Sequence, residues 1–231
     1  MVSPNHGRTA YDPDVEVVAL RGGVAELSEQ LNAICDRVEA DGVRPVLHLD
    51  GSDAAALPLQ WPEQDLTIRT VTRWERALRR LERVPAASVA VVTGEVGPAA
   101  LEVLFCTDWR VSAADSIFAL SAQPWPGAVL FRMARQLGHA TTRRLMLFPA
   151  AVPATRAQEL GFVDEVRGGA VSEVLAAGAS AAQAMAIDDA DAAVLRQLHD
   201  EAATAQYDDA IGAHLAACDR VLRRRTATSA R

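Results

Sequence analysis

One carboxylate in this chain stands where a proton can be moved beside a developing negative charge. The stretch PAASVAVVTGEVGPAALEVLFCTD, residues 85–108, runs from the apolar Val89, Ala90, Val91 and Val92 through Gly94 and Gly97 to a helical pattern that begins at Ala99. The apolar run reads as a buried strand, and the glycines let the backbone turn tightly after it. A strand that feeds a helix through such a turn leaves the first helical N–H groups unpaired and pointing outward, an arrangement that stabilises an oxyanion. Ala99 is where that helical pattern starts, and Gly97 lies in the turn before it. Glu102, read as lying on the first helical turn, is the group that can transfer a proton there. The same position also suits a purely structural acid held by the helix macrodipole.

Other chemistries are excluded by residue type. All 23 Lys-or-Arg positions are arginine, which removes Schiff-base chemistry and the P-loop lysine. Cys35, Cys106 and Cys218 are odd in number and far apart, and the five histidines show no ligand spacing, so neither a disulfide framework nor a zinc site is expected. A net charge of −7 argues against nucleic acid as a partner. No apolar run reaches membrane-spanning length, and the start, MVSPNHGRTAYDPD, has no signal-peptide core. The expected location is therefore the cytoplasm.

Strands and helices must alternate to hold this carboxylate in place. Residues 15–20 and 45–49 read as strands, 24–41 as a helix stopped by Asp41-Gly42, and 50–64 as a loop carrying Gly51, Pro58 and Pro62. Over 66–83, Val71, Trp74, Leu78 and Leu81 form one apolar stripe while Arg69, Arg73, Arg76, Arg79 and Arg80 lie mostly outside it. That basic face is either simply solvated or a site for an anion. Strand signals follow at 109–112 and 162–166, and helical ones at 127–138, 141–148 and 155–160. The Ala-rich segments 171–185 and 191–225 are also helical. The alternation predicts an α/β fold. The 231 residues, half of them hydrophobic, suffice for one core. Three regions are expected: a disordered N-terminus at 1–13, a core at 14–185 and a helical segment at 186–231.

The pattern resembles the enoyl-CoA hydratase/isomerase, or crotonase, superfamily from Val15 to the C-terminus. PAASVAVVTGEVGPAALEVLFCTDWRVSAADSIFAL is similar to that family's strand, glycine-rich turn, acid-bearing helix, Asp-bearing strand and Ala-x-Phe segment. PGAVLFRMARQLGHATTRRLMLF and VPATRAQELGFVDEV resemble its helical pair and its Ala-rich helix. The resemblance implies a crotonase-like fold with repeated β-β-α units and C-terminal oligomerisation helices. It also implies a coenzyme A thioester as substrate carrier, with no metal or redox cofactor required. A homo-oligomer (trimer or dimer of trimers), or a hetero-oligomer with a crotonase-fold relative, is the implied assembly. Within the superfamily, TRWERALRRLERVP and EAATAQYDDAIGAHLAACDRVLRR resemble the branch of the 3,5-dihydroxyphenylglycine pathway. That narrower resemblance implies a type III polyketide synthase as partner.

Several positions depart from the family pattern. Its oxyanion hole pairs the middle N–H of a Gly-Gly-Gly turn, here Pro98-Ala99-Ala100, with a donor from an Ala-Gly-x-Asp-Leu loop, here Pro62-Glu63-Gln64-Asp65-Leu66. Pro62 has no N–H to give, and a one-residue shift puts Glu63 in its place. Glu102 matches the first hydratase glutamate, whereas the second falls near Ser121 and Ala122, in a shortened SAQPWPG loop whose Trp125 is a candidate substrate contact. Glu102 and Ala99 are thus the expected catalytic pair, with Pro62, Glu63, Gly97, Pro98 and Trp125 around the substrate. The resulting expectation is a dehydratase or isomerase with an incomplete catalytic set. Its rival is a non-catalytic crotonase-fold partner that binds the synthase or its thioester product.

Overall fold

A computed structural model describes residues 14–52, 67–120, 129–185, 189–202 and 206–229. Five strands form a parallel sheet in the order β1-β2-β3-β4-β7: β1 (Val15–Ala19), β2 (Arg44–Gly51), β3 (Val89–Val96), β4 (Trp109–Ala113) and β7 (Glu165–Arg167). The crossovers from β1 to β4 are α1 (Val24–Asp41), α2 (Ile68–Leu81) and α3 (Pro98–Leu104). Two short strands, β5 (Ile117–Ala119) and β6 (Ala151–Pro153), make a second small sheet. In it β5 pairs parallel with the end of β3, and β6 pairs antiparallel with β5. The segment β4–β5, followed by α4 (Val129–Leu137), supplies the expected two strands and a helix. After it come α5 (His139–Leu147), α6 (Ala154–Leu160), α7 (Val171–Gln183), α8 (Asp189–Ala202) and α9 (Tyr207–Ser229).

The strands bury both faces because side chains alternate across the sheet. Val46, Val89, Val91 and Val111 point to one face and pack under Val174, Ala179 and Ala182 of α7. Leu47, Leu49, Ala90 and Val92 point to the other, against Leu27, Leu31, Ile34 and Val38 of α1 and Trp74, Leu78 and Leu81 of α2. Gly178 lets α7 sit close on the sheet, since a Cβ there would fall 2.3 Å from a Val91 methyl.

Sequence and structure part company at the glycines of β3. The apolar run suggests a strand that ends at Val92, with a turn beyond. Instead β3 continues to Val96 through Gly94, which takes φ +69° and changes the strand's direction, so that Glu95 and Val96 pair with β5. Gly51 passes beneath: a Cβ there would lie 2.0 Å from the Glu95 carbonyl oxygen. The expected strand at 162–166 is shifted to Glu165–Arg167, because Phe162 and Val163 are buried as a turn after α6. The expected helical stretch at 191–225 is two helices, α8 and α9. The N-terminus at 1–13 and most of the loop at 50–64 lie outside the described residues.

Candidate active site

Glu102 belongs to α3, whose start is set by its own sequence. Gly97 is the N-cap, Pro98 occupies the first helical position and Ala99 the second. Proline is at home there: the N–H it lacks has no partner in a helix anyway, and its fixed φ suits the first turn. The Pro-Ala-Ala triplet therefore builds the turn without strain, and no non-glycine residue takes a positive φ among the described residues. Glu102 is the fifth residue of α3 and so begins its second turn, rather than standing on the first turn as the spacing suggests. The macrodipole acts mainly within the first turn and would lower an acid's pKa. Glu102, just beyond that turn, feels the macrodipole less than the spacing suggests.

The Glu102 side chain points inward and is only 1% exposed. Its Oε2 accepts a short hydrogen bond from the indole Nε1–H of Trp74, itself completely buried. Trp74 is held by the apolar face of α2, with Ala77, Leu78 and Leu81 buried below it. The height of that face is fixed by a capping box, in which Thr67 Oγ1 accepts from the Thr70 N–H and Thr70 Oγ1 accepts from the Thr67 N–H. Behind α3, the Cys106 thiol donates to the Glu102 carbonyl oxygen at 3.1 Å.

A charged cluster borders this pair. Arg132 of α4 is buried, and its guanidinium donates Nε–H to Glu82 at 2.7 Å and pairs with Glu75 at 3.3 Å. Arg79 meets Glu82 from the rim at 3.0 Å. Around Arg132 three carboxylates, Glu75, Glu82 and Glu102, thus face one buried cation. Burial pushes the Glu102 carboxyl up to about 7; the Trp74 hydrogen bond draws it down, Glu75 adds to the rise, and Arg132 opposes it. A carboxyl poised near neutrality can both take and give a proton at ordinary pH.

The remaining polar groups are framework. Asp108 Oδ2 accepts from the Ser88 N–H at 2.8 Å and from the Ser88 hydroxyl at 3.1 Å, while Oδ1 pairs with Arg196 of α8 at 2.6 Å. Asp108 therefore fixes the strand entry, in keeping with a structural role. His48 shares a hydrogen bond with Thr93 at 2.9 Å on the α7 side of the sheet, and burial lowers its pKa. Among the described residues no group of three or more His, Cys, Asp or Glu side chains is placed to hold a metal ion, and no helix is long and apolar enough to cross a membrane.

The chain as a whole has counterparts among known proteins. The sequence profile described as "Enoyl-CoA hydratase/isomerase" matches residues 61–230. A protein from Amycolatopsis orientalis named "Enoyl-CoA-hydratase" is 38% identical over 218 residues, spanning 90% of this chain and 97% of that protein. The chain belongs to the enoyl-CoA hydratase/isomerase family. Solved structures agree on the fold. The enoyl-CoA hydratase of Mycobacterium smegmatis matches with a TM-score of 0.75 at 17% identity, covering 92% of this chain and 89% of that one. The enoyl-CoA hydratase of Bacillus anthracis gives 0.74 at 16% identity, covering 94% and 90%.

Against the enoyl-CoA hydratase/isomerase pattern, the structure brings Gly97, Pro98, Ala99 and Glu102 together on one short helix. Pro62, Glu63 and Trp125, with Ser121 and Ala122, lie outside the described residues. Sequence reasoning missed Trp74 and Arg132 as members of the site. Trp74 was legible only as one position of a core stripe, yet a fully buried tryptophan needs an acceptor for its N–H, and that need was the available signal.

Proposed function

We propose that this protein is an enoyl-CoA hydratase-like dehydratase or isomerase in which Glu102 is the single acid/base. The observation that carries the reading is a buried carboxyl with a pKa of about 7, three residues beyond the N–H of Ala99. That N–H polarises the thioester carbonyl, which makes the hydrogen on the adjacent carbon acidic. Glu102 takes this proton, the enolate expels a hydroxyl from the next carbon, and Glu102 returns the proton to it as water leaves. The double bond forms as the C–H and C–O bonds break, and the enzyme ends in its starting state.

The substrate class is an acyl-CoA thioester, as in the family. The finer assignment rests on the helix segments that resemble DpgB of the 3,5-dihydroxyphenylglycine pathway. In that role the protein assists a type III polyketide synthase by dehydrating and aromatising a malonyl-derived chain towards 3,5-dihydroxyphenylacetyl-CoA for antibiotic biosynthesis. The rival, a non-catalytic partner of the synthase, is favoured by one observation. Phe131, Leu147 and Phe148 leave most of their surface bare on α4 and α5, as a docking face would.

One experiment separates the two. Aromatic product formed by the synthase is measured with wild-type protein, with Glu102→Gln and with none. Gln keeps the shape and can still accept the Trp74 bond but cannot act as a base, so product formation falls about 10²- to 10⁴-fold. Stimulation by the Gln variant equal to wild type eliminates the catalytic reading.

A further inference from the structure

Trp74 and Glu102 are 28 positions apart and on different helices, and their contact is the one hydrogen bond to the Glu102 carboxylate among the described residues. Burying a carboxylate beside two others is costly, and a glutamine at 102 would make the same bond to the indole without a charge. An indole N–H committed to an ionisable group in this place therefore points to control of that group rather than to packing. The control is geometric. The Trp74 ring has no freedom, being completely buried with Ala77, Leu78 and Leu81 buried on the same helix face, so its N–H presents a fixed point to Oε2. With Oε2 clamped, rotation about the last bond of the Glu102 side chain is blocked and Oε1 is held in one place.

We propose that Trp74 is a positioning residue for the acid/base: its N–H clamps Oε2 of Glu102, so that Oε1 is the oxygen that takes and returns the substrate proton. This rests on the acid/base role proposed above for Glu102. Trp74 touches no substrate and acts through the carboxyl. The bond also favours the charged form of Glu102, in concert with Arg132 of α4 and against burial and Glu75 of α2; the neighbouring Cys106 thiol is kept neutral by its own burial. Glu82, at the end of α2, completes the set through Arg132.

The test replaces the indole by benzothiophene at position 74, with site-specific 3-benzothienylalanine, which keeps the ring's shape and puts sulfur where the N–H was. Trp74→Phe is the simpler companion, and 5-fluorotryptophan at position 74 is the control that keeps the donor. Two quantities are read: the titration of the Glu102 carboxyl carbon by ¹³C NMR, assigned through Glu102→Gln, and product formation in the synthase assay. Losing the donor moves the Glu102 midpoint upward by about one pH unit. It also lowers turnover at pH 7 about ten-fold or more, with unfolding temperature held close to wild type in the benzothienyl protein. The fluorinated control, which keeps the donor, shows neither the upward midpoint shift nor the ten-fold loss of the benzothienyl protein. An unmoved midpoint with unchanged turnover, while Glu102→Gln is inactive, overturns the positioning role alone. A fully active Glu102→Gln overturns the proposed reaction and the positioning role with it.

Discussion

At Glu102 the same physics that suits catalysis costs stability, and this makes the residue's state measurable without a substrate. Its carboxyl is raised from an ordinary 4.5 to about 7, with burial the leading cause. The folded protein therefore binds this proton more tightly than the unfolded chain. The associated stability is fully present below about pH 4.5 and is lost as pH rises through about 7. The difference between the two ends corresponds to about 3 kcal/mol for an isolated group. Glu102→Gln carries no such titration. Thermal unfolding of both proteins at pH 5 and pH 8 should show the Gln variant gaining on wild type at the higher pH. A difference in unfolding temperature that is independent of pH would mean that Glu102 ionises normally in the folded protein.

At the level of elements, legibility followed contact distance along the chain. The helix at 24–41 was readable to the residue, because Leu27, Leu31, Ile34 and Val38 repeat with helical period and Gly42 takes the left-handed cap at φ +70°. The three-residue strands β5 and β6 were not readable, since so short a run shows no alternation. They exist because the redirected end of β3 offers them a partner. The strand–turn–helix around Ala99 and Glu102 was readable as a local pattern. The Trp74–Glu102 bond and the Arg132 cluster join helices far apart in sequence, which periodicity does not encode.

The docking of α8 belongs to this second kind. Arg196 donates to the carbonyl oxygens of Val84 at 2.5 Å and Ala86 at 2.7 Å and pairs with Asp108 at 2.6 Å. Arg135 adds a link from α4 to Asp200, donating to its carbonyl oxygen at 2.9 Å and meeting its carboxylate at 3.0 Å. One side chain thus ties α8 to the entry of β3. Arg196→Ala should cost about 2 kcal/mol and speed amide hydrogen exchange in α8 while leaving that of α7 unchanged. Equal protection of α8 in the variant would show that its apolar contacts and the Arg135–Asp200 link hold it without Arg196.

At the scale of the whole molecule, several large apolar side chains remain bare beside a well-filled core. On α8 and α9, Val194, Leu198 and Ile211 are partly buried as the two helices pack together, whereas Leu215 and Leu222 remain exposed. A second group, Phe131, Met146, Leu147 and Phe148, lies exposed on α4 and at the end of α5, with Phe148 at 75% of its full exposure. Scattered apolar residues on a surface need no explanation, but a run of three at the end of one helix, with a phenylalanine on the helix packed against it, is the kind of face expected to meet another chain. The protein is therefore expected to assemble with copies of itself. Light scattering at micromolar concentration should give a mass above that of one 24.7 kDa chain, and a stable monomer would count decisively against it. Which face carries the contact follows from two charge insertions: Leu147→Glu with Phe148→Glu on α5, and Leu215→Glu with Leu222→Glu on α9. The α5 pair should dissociate the oligomer, because its larger aromatic and aliphatic area is what association would remove from water. The α9 pair should leave the mass unchanged unless the C-terminal helices supply the interface, as the sequence alone would have them do.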